Sequence, residues 1–327
     1  MECALERRAL ILKCALSPGD VCTVTAAIES LHAQYPGRFL TDVRTTCDEI
    51  FRHNPWITPL RNGEHVPMHY SDLQWSNDQP RTFISAYTRH LERYLGMPLP
   101  TLTNRPHLYL SQDEKCLPCC LREHGMEPGQ FWVVCAGIKS DFTLKQWPVE
   151  YYQTVVDHFR GRVAFVQIGG DDDEHPVLDG VINLVGRTGH RDLMRVCFHA
   201  AGGVGPITYV QHLCAAFEKP YIALLGGREP VTWTQYPLQR TLHTLGMLTC
   251  CRTKACWKSR VVSRGDGEAH DRSLCELPVL DFSRPVGQCM AIIRPIEVIA
   301  AIESFLAREG APPLSRGVTR VPLTDGG

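Results

Sequence analysis

The chain contains 327 residues, of which 44% are hydrophobic and 21% are charged, and its formal net charge is -1 at pH 7. This length and composition are typical of a soluble globular protein with two ordinary domains. The near-neutral charge argues against nucleic acid as a partner, and no apolar run approaches the roughly 20 residues of a transmembrane helix.

The fifteen cysteines indicate the compartment in which the protein works. Several of them, such as Cys14, Cys135, Cys197 and Cys214, lie singly within apolar runs, where a free thiol packs as a small hydrophobic group. Buried free thiols indicate a reducing environment, and the first residues do not predict a secretory signal. We therefore predict a cytoplasmic protein, in which clustered cysteines bind metal more often than they form disulfides.

The first part of the chain predicts a short α/β unit. A continuous apolar run at residues 9–16 predicts a buried strand that ends at a Ser-Pro-Gly turn. Helical spacing follows at 21–36, then a second strand at 39–45 and an amphipathic helix at 81–97. Residues 98–130 are rich in proline and turn residues, so we expect a linker there.

Strands and helices alternate again after this linker. The predicted strands lie at 131–137, 163–170 and 220–227, and the predicted helices at 149–161, 190–201, 207–218 and 295–309. Such alternation indicates parallel sheets built from right-handed crossovers. We predict two Rossmann-like domains at 1–125 and 126–290, then a C-terminal helix at 291–310 and a disordered tail at 311–327.

The turn after the first strand carries a candidate catalytic carboxylate, Asp20. Open α/β sheets bind their ligands at the C-terminal ends of the strands. At that edge, Asp20 could act as a general base toward a hydroxyl nucleophile. The alternative is a helix cap, because Asp is favoured at helix N-termini for local hydrogen bonding alone.

Two later strand ends carry groups that suit a nucleotide. Lys139, Thr143 and Lys145 follow the strand at 131–137, where ammonium and hydroxyl groups suit a diphosphate. Gly169 and Gly170 precede an acidic run of the kind that binds ribose hydroxyls. The alternatives are a solvated basic loop and a solvated acidic turn, respectively.

The segment at 202–233 outlines a nucleotide-phosphate cradle. A glycine-rich turn, a short helix, a buried strand and then Gly-Gly-Arg-Glu-Pro follow one another. Glycines allow close backbone approach, and a helix start presents free N–H groups to an anion. Neither a G-x-G-x-x-G motif nor a Walker lysine motif occurs, which disfavours a dinucleotide dehydrogenase and a P-loop enzyme.

Three elements in this order resemble glycosyltransferase family 9, the ADP-heptose:lipopolysaccharide heptosyltransferases. They are SPGDV near the start, KQWP in the middle and HLCAAFEKP later. The resemblance implies the GT-B architecture, in which two Rossmann-like domains face each other across a cleft. It also implies an inverting glycosyltransferase that transfers heptose from ADP-heptose to a hydroxyl of a lipopolysaccharide core or a protein, without a catalytic metal.

Other functions and partners stay open beside this one. The alternatives are a sugar-nucleotide epimerase-like enzyme on the same architecture and a non-catalytic sugar-nucleotide-binding protein. As partners, the resemblance implies a nucleotide-sugar donor and a glycan, lipid-linked or protein acceptor. A peripheral position at the inner membrane surface and a homo-oligomer are also open.

The resemblance assigns roles to individual residues. Asp20 matches the general base, and Lys145 matches a lysine that contacts the donor phosphates. The implied donor-binding residues are Lys139, Thr143, Lys145, Gly169, Gly170, Gly205, Pro206, Thr208, His212, Gly227 and Glu229. The chain departs from the family where Gly203 and Val204 replace an Asp-Ser or Asp-Thr pair, so Thr208 could supply the missing hydroxyl. His212 has the alternative of an interior helix residue.

Two further sets of residues complete the prediction. His69 and Tyr70 lie in the acceptor-side half and could face the acceptor, although aromatic loop residues often simply pack. Residues 249–290 resemble the cysteine-rich insertion of a heptosyltransferase subgroup that glycosylates autotransporters and carries an iron-binding finger. The implied metal ligands are Cys251, Cys256, Cys275 and Cys289, with Cys250 as a competitor for the first position.

Four thiolates suit a structural iron ion or, alternatively, zinc. A closed shell of this kind leaves no position for a substrate, so its role would be structural. Scattered reduced thiols and disulfides are the other possibilities.

Overall fold

The computed structural model describes residues 7–69, 77–78, 81–171 and 174–309, without the side chains of the last two residues. In these ranges the chain forms an amino-terminal and a carboxy-terminal lobe, each built on a parallel sheet. None of the described helices is both long enough and apolar enough to cross a lipid bilayer.

The described part of the amino-terminal lobe is built on a three-stranded parallel sheet with β1 at its centre. Its elements are β1 (Arg8–Cys14), α1 (Pro18–Gln34), β2 (Phe39–Thr45), β3 (Glu64–Pro67) and α2 (Phe83–Leu95). Leu10 and Leu12 of β1 are completely buried against Val24 and Ile28 of α1. The continuous apolar sequence of β1 therefore serves a strand that is covered by helices.

The helix boundaries follow from local chemistry. Thr82 and Ser85 form a reciprocal capping box at the start of α2, and Gly96 ends that helix in the left-handed conformation with φ of 63°. α1 begins at Pro18, three residues before the predicted start, because proline is well suited to the first helical position. Asp20 therefore lies inside the first turn of α1.

The described part of the carboxy-terminal lobe contains a six-stranded parallel sheet. After α3 (Cys119–Arg122) its elements are β4 (Phe131–Val134), α4 (Val149–His158), β5 (Ala164–Gln167), β6 (Ile182–Asn183), α5 (His190–His199), β7 (Gly202–Pro206), α6 (Tyr209–Ala216), β8 (Tyr221–Gly226) and β9 (Gln239–His243). The strand order is β6-β5-β4-β7-β8-β9. Because this doubly wound order reverses between β4 and β7, a ligand crevice is expected at the C-terminal ends of those two strands.

The prediction of a glycine-rich turn at the start of the 202–233 segment is wrong, because these glycines form the buried strand β7. Neighbouring side chains occupy the space that the glycines leave. A Cβ at Gly202 would lie 2.7 Å from the indole of Trp132, and one at Gly203 would lie 2.8 Å from Val133. Glycine has a low strand propensity, but the large side chains of the neighbouring strand β4 leave no room for side chains at these positions of β7.

The cysteine-rich segment follows β9 and leads back to the sheet. It contains β10 (Pro278–Val279) and β11 (Val286–Gly287), and the chain continues with α7 (Gln288–Ala291) and α8 (Pro295–Glu309). The core cluster on one face of the six-stranded sheet includes side chains of α4 and α8, and the cluster on the other face includes those of α5 and α6. The sheet is thus covered on both faces, as its continuous apolar strands require.

Candidate donor site

The loops after β4 and β7 meet at the reversal of strand order. A short 3-10 helix at Ser140–Lys145 carries Lys145 at its end, and Thr208 occupies the N-cap position of α6. The Lys145 ammonium donates a hydrogen bond of 3.2 Å to the carbonyl of Ile207. Because this bond spans the two loops, it fixes Lys145 at the edge of the sheet where an α/β protein binds its ligand.

Lys145, whose side chain is 20% exposed, belongs to a charge cluster with the buried residues Arg228 and Glu229. Its Nζ lies 2.7 Å from Oε1 of Glu229, and Glu229 also accepts a hydrogen bond from Arg228. Burial lowers the pKa of Lys145, and this effect exceeds the opposing attraction of Glu229. Burial alone would raise the pKa of Glu229, but the attraction of Lys145 and Arg228 outweighs it and leaves the pKa below its usual value.

Asp20 approaches this cluster from the amino-terminal lobe. Its side chain is buried, with 8% of its surface exposed, and its charge raises the pKa of Lys145. The start of α1 packs against α6 so closely that a Cβ at Gly19 would lie 2.9 Å from the ring of His212. The two lobes therefore bring a carboxylate and an ammonium group within electrostatic reach of each other.

His212 connects α6 to a neighbouring loop. The ring is 3% exposed, and its Nδ1 lies 2.6 Å from the hydroxyl of Tyr236. Burial, together with repulsion by Lys145, lowers the pKa of His212 from 6.5 to about 3. His212 is therefore neutral near pH 7, and its Nε2 edge faces the start of α1.

This geometry can be compared with known proteins. A family model described as glycosyltransferase family 9 (heptosyltransferase) matches residues 74–259, which is more than half of the chain. The chain belongs to glycosyltransferase family 9. It is thus a glycosyltransferase, as the sequence motifs predicted.

Solved structures agree on the architecture. A family 9 glycosyltransferase from Veillonella parvula superposes with a TM-score of 0.66 at 17% identity, covering 93% of this chain and 99% of the other. ADP-heptose lipopolysaccharide heptosyltransferase II from Escherichia coli superposes with a TM-score of 0.59 at 15% identity. The match covers 93% of this chain and 100% of the other. The iron-containing dodecameric glycosyltransferase TibC from enterotoxigenic E. coli superposes with a TM-score of 0.62 at 14% identity. The match covers 93% of this chain and 77% of the other.

These matches confirm the predicted GT-B fold for the glycosyltransferase. At such low identity they carry the fold alone. No curated protein matches this chain in sequence.

Several glycines predicted to bind the donor have structural reasons to be glycine. A Cβ at Gly205 would lie 2.7 Å from the carbonyl of Cys135 and 2.9 Å from the hydroxyl of Tyr221. A Cβ at Gly169 would lie 1.8 Å from the ring of His175, which also abuts Gly137. His175 therefore packs over the ends of β4 and β5, a position that the sequence analysis did not foresee.

The remaining predicted donor residues lie at the same sheet edge with different exposures. Lys139 and Gly170 are exposed, whereas Pro206 is buried and accepts a hydrogen bond from Tyr221. The hydroxyl of Thr143 accepts a hydrogen bond of 2.9 Å from the backbone of Val261. Thr143 thus ties the Lys145 loop to the cysteine-rich segment, although its O–H remains a potential donor.

The predicted acceptor residues are only partly described. His69 is exposed, and its ring packs edge-on against His90 at 5.0 Å. Tyr70 lies outside the described residues. The acceptor role of both residues therefore stays a prediction.

Four cysteines line one small cavity, and they differ in one member from the predicted set. Cys250, Cys256, Cys275 and Cys289 surround a space of about 10 Å³, roughly the volume of one water-sized sphere. Cys251 instead directs its thiol to the carbonyl of Thr244, at 3.5 Å. Within the described residues, no group of three or more Cys, His, Asp or Glu side chains is arranged so that it could hold a metal ion.

The cavity adjoins the charge cluster through the chain itself. Leu144 and Gly227 form part of its wall, and they directly precede Lys145 and Arg228 in the sequence. The backbone N–H groups of Cys256 and Trp257 donate to the carbonyls of Gly227 and Arg228, at 3.2 and 3.0 Å respectively. The cysteine-rich segment therefore packs directly beside the charge cluster of Lys145, Arg228 and Glu229.

Arg260 anchors the same segment through ion pairs that the sequence analysis did not predict. Its guanidinium is 1% exposed and lies 3.0 Å from Asp141, 2.8 Å from Asp266 and 2.5 Å from Asp271. Asp141 belongs to the short helix that ends at Lys145. The only sequence signal was the basic character of the segment, which is more typical of a solvated surface than of a buried ion cluster.

Proposed function

We propose that this glycosyltransferase transfers heptose from ADP-heptose to a hydroxyl acceptor with inversion, and that Asp20 is the general base. The observation that carries the proposal is the position of the buried Asp20 carboxylate, which comes from the amino-terminal lobe next to the α1–α6 contact and whose charge raises the pKa of Lys145 in the other lobe. The solved structures named for ADP-heptose enzymes support the choice of donor. The acceptor classes that fit are a lipopolysaccharide core and a protein.

In the proposed reaction, the Asp20 carboxylate accepts the proton of the acceptor hydroxyl. The acceptor oxygen forms a bond to the anomeric carbon as the bond from that carbon to the diphosphate oxygen breaks. The electron pair of the broken bond leaves with ADP. Inversion follows because nucleophile and leaving group occupy opposite faces of the sugar.

Lys145 would stabilise the leaving diphosphate. An ammonium group has three N–H donors, and the contacts with Glu229 and Ile207 account for two of them within the described residues. The third can bind a phosphate oxygen, in a site already oriented by buried contacts. Positive charge from the protein would then stabilise the leaving group without a catalytic metal.

The test compares donor binding with transfer in Asp20→Asn. ADP release from ADP-heptose is measured with truncated lipopolysaccharide core and with protein acceptors, and ADP affinity is measured by calorimetry. We expect transfer to fall about 100- to 10,000-fold, while ADP affinity changes less than about threefold. Asp48→Asn, an exposed change on the same lobe, is the control and should keep the wild-type rate.

Three results would contradict the proposal in different ways. Unchanged transfer by Asp20→Asn would remove Asp20 from the mechanism. Conversion of the donor into a stereoisomer without an acceptor would favour an epimerase. Tight ADP binding with no turnover of ADP-heptose or of other sugar nucleotides would favour a non-catalytic binding protein.

We further propose that the four cavity cysteines, which line one space but are not arranged as metal ligands in the described structure, close around a structural metal ion when it binds, with Cys250 in place of Cys251. Thiolates are the ligands preferred by zinc and iron in closed tetrahedral sites. A Cβ at Gly287 would lie 3.3 Å from the sulfur of Cys289 and 3.6 Å from that of Cys275. The missing side chain at Gly287 thus leaves room between these sulfurs, which supports the fit.

Elemental analysis of anaerobically purified protein tests this second proposal. We expect about one iron or zinc ion per chain, retained in Cys251→Ser and lost in Cys250→Ser. Metal-free wild-type protein, or equal loss in both variants, would contradict it. Thermal unfolding of the same samples measures whether the ion stabilises the fold.

A further inference from the structure

A second cavity lies at the opposite edge of the six-stranded sheet. It has a volume of about 150 Å³ and is bounded by the crossover segment at Asn104 and Arg105, the end of α6, and the residues leading into β9. Tyr221 and Gln239, the first residues of β8 and β9, line it. It therefore lies at the amino ends of these strands, whereas the proposed donor site lies at the carboxyl ends.

The cavity contains an acceptor that the described residues leave unpaired. Gln211 is 1% exposed and lines the cavity, and its Oε1 has no hydrogen-bond partner within the described part of the chain. Its Nε2 lies 2.9 Å from the carbonyl of Thr234 and 2.6 Å from Oε1 of Gln239. The carbonyl of Thr234 can only accept, so Nε2 is the atom that faces it, and Oε1 is left without a donor among the described residues.

The charged side chains in the cavity wall indicate which charged group a ligand would carry. Among the wall residues, Arg105 and Lys219 are cationic and Glu218 is anionic. The guanidinium of Arg105 donates a hydrogen bond of 2.9 Å to the carbonyl of Ala216 and lies 3.4 Å from the carboxylate of Glu218. A planar guanidinium held in this way is suited to a carboxylate.

We infer that this cavity binds a small hydroxycarboxylate. Its carboxylate would contact Arg105, and its hydroxyl would donate to Oε1 of Gln211. A cavity of this volume accommodates a molecule about as large as benzene, which matches glycerate. The site is separate from the donor site, but Tyr236 is a wall of the cavity and its hydroxyl contacts His212.

Calorimetric titration of the full chain tests the site with four probes: glycerate, propionate, glycerol and inorganic phosphate. We expect one glycerate per chain, bound at least about tenfold more tightly than propionate, which lacks the hydroxyl. Arg105→Gln should weaken glycerate at least about tenfold. Arg187→Gln, an exposed change in the same lobe and outside the cavity wall, should bind like wild type.

A second variant isolates the contact with Gln211. Gln211→Met keeps the length of the side chain but removes the acceptor, so glycerate and propionate should bind it equally. Absence of binding by any probe would show that the cavity holds water only, and unchanged glycerate affinity in Arg105→Gln would show that glycerate binds away from Arg105; either result would overturn the proposal. Phosphate or glycerol binding more tightly than glycerate would overturn the ligand class. The comparison of probes on wild-type protein decides the question even if Gln211→Met does not fold.

Discussion

The buried imidazole of His212 makes the stability of this protein depend on pH in a predictable direction. Burial is the main cause that lowers its pKa from 6.5 to about 3, and repulsion by Lys145 adds to it. Between these two values the unfolded chain binds a proton that the folded protein does not bind. Stability should therefore fall as the pH falls from about 6.5 toward 3, because protonation then favours the unfolded state.

The magnitude follows from the two pKa values. Proton linkage gives a loss of about 2 kcal/mol in the free energy of unfolding between about pH 7 and pH 5. Because His212 is only 3% exposed, solvent screens its interactions little. His212→Gln cannot be protonated, so this part of the pH dependence should disappear.

Urea unfolding followed by tryptophan fluorescence at both pH values measures the effect. His212→Gln loses a contact with Tyr236 and should be less stable than wild type at pH 7. Between pH 7 and pH 5, however, the variant should lose about 2 kcal/mol less of its free energy of unfolding than wild type loses. Other groups titrate in both proteins and cancel in the comparison. An identical pH dependence of wild type and variant would refute the assignment of His212 as a buried neutral base.

Two further predictions concern the surroundings of Lys145. Glu229→Gln leaves the buried Arg228 and the partly buried Lys145 without their carboxylate and should lower the free energy of unfolding by about 3 kcal/mol. Glu303→Gln, which breaks a surface ion pair with Arg162, should cost less than about 1 kcal/mol. Equal losses in urea unfolding would contradict the buried cluster. Gly205→Ser should lower the free energy of unfolding by about 1–3 kcal/mol, because the added side chain overpacks the contact with Cys135 and Tyr221. Gly189→Ser, where an added side chain meets open space, is the control and should unfold at the wild-type temperature. A Gly205→Ser protein as stable as wild type would refute the close contact.

Local sequence chemistry was sufficient for most elements and for the family. The continuous apolar run of β1, the proline at the start of α1 and the capping box and glycine of α2 are each determined by neighbouring residues. β7 was misread because an isolated run of glycines and small residues has low strand propensity. The side chains of Trp132 and Tyr221, distant in sequence, make that strand possible.

The sequence by itself determined which residue types were present at the strand ends: a carboxylate at Asp20, an ammonium at Lys145 and a set of clustered thiols. Only the tertiary structure decided which of them meet. The pairing of Lys145 with Glu229, the choice of Cys250 over Cys251 around the small cavity, and the burial of Arg260 all join segments that are far apart in the chain. Charges and thiols carry no periodic pattern that would predict a partner, because their contacts depend on how strands order themselves and on how two lobes pack.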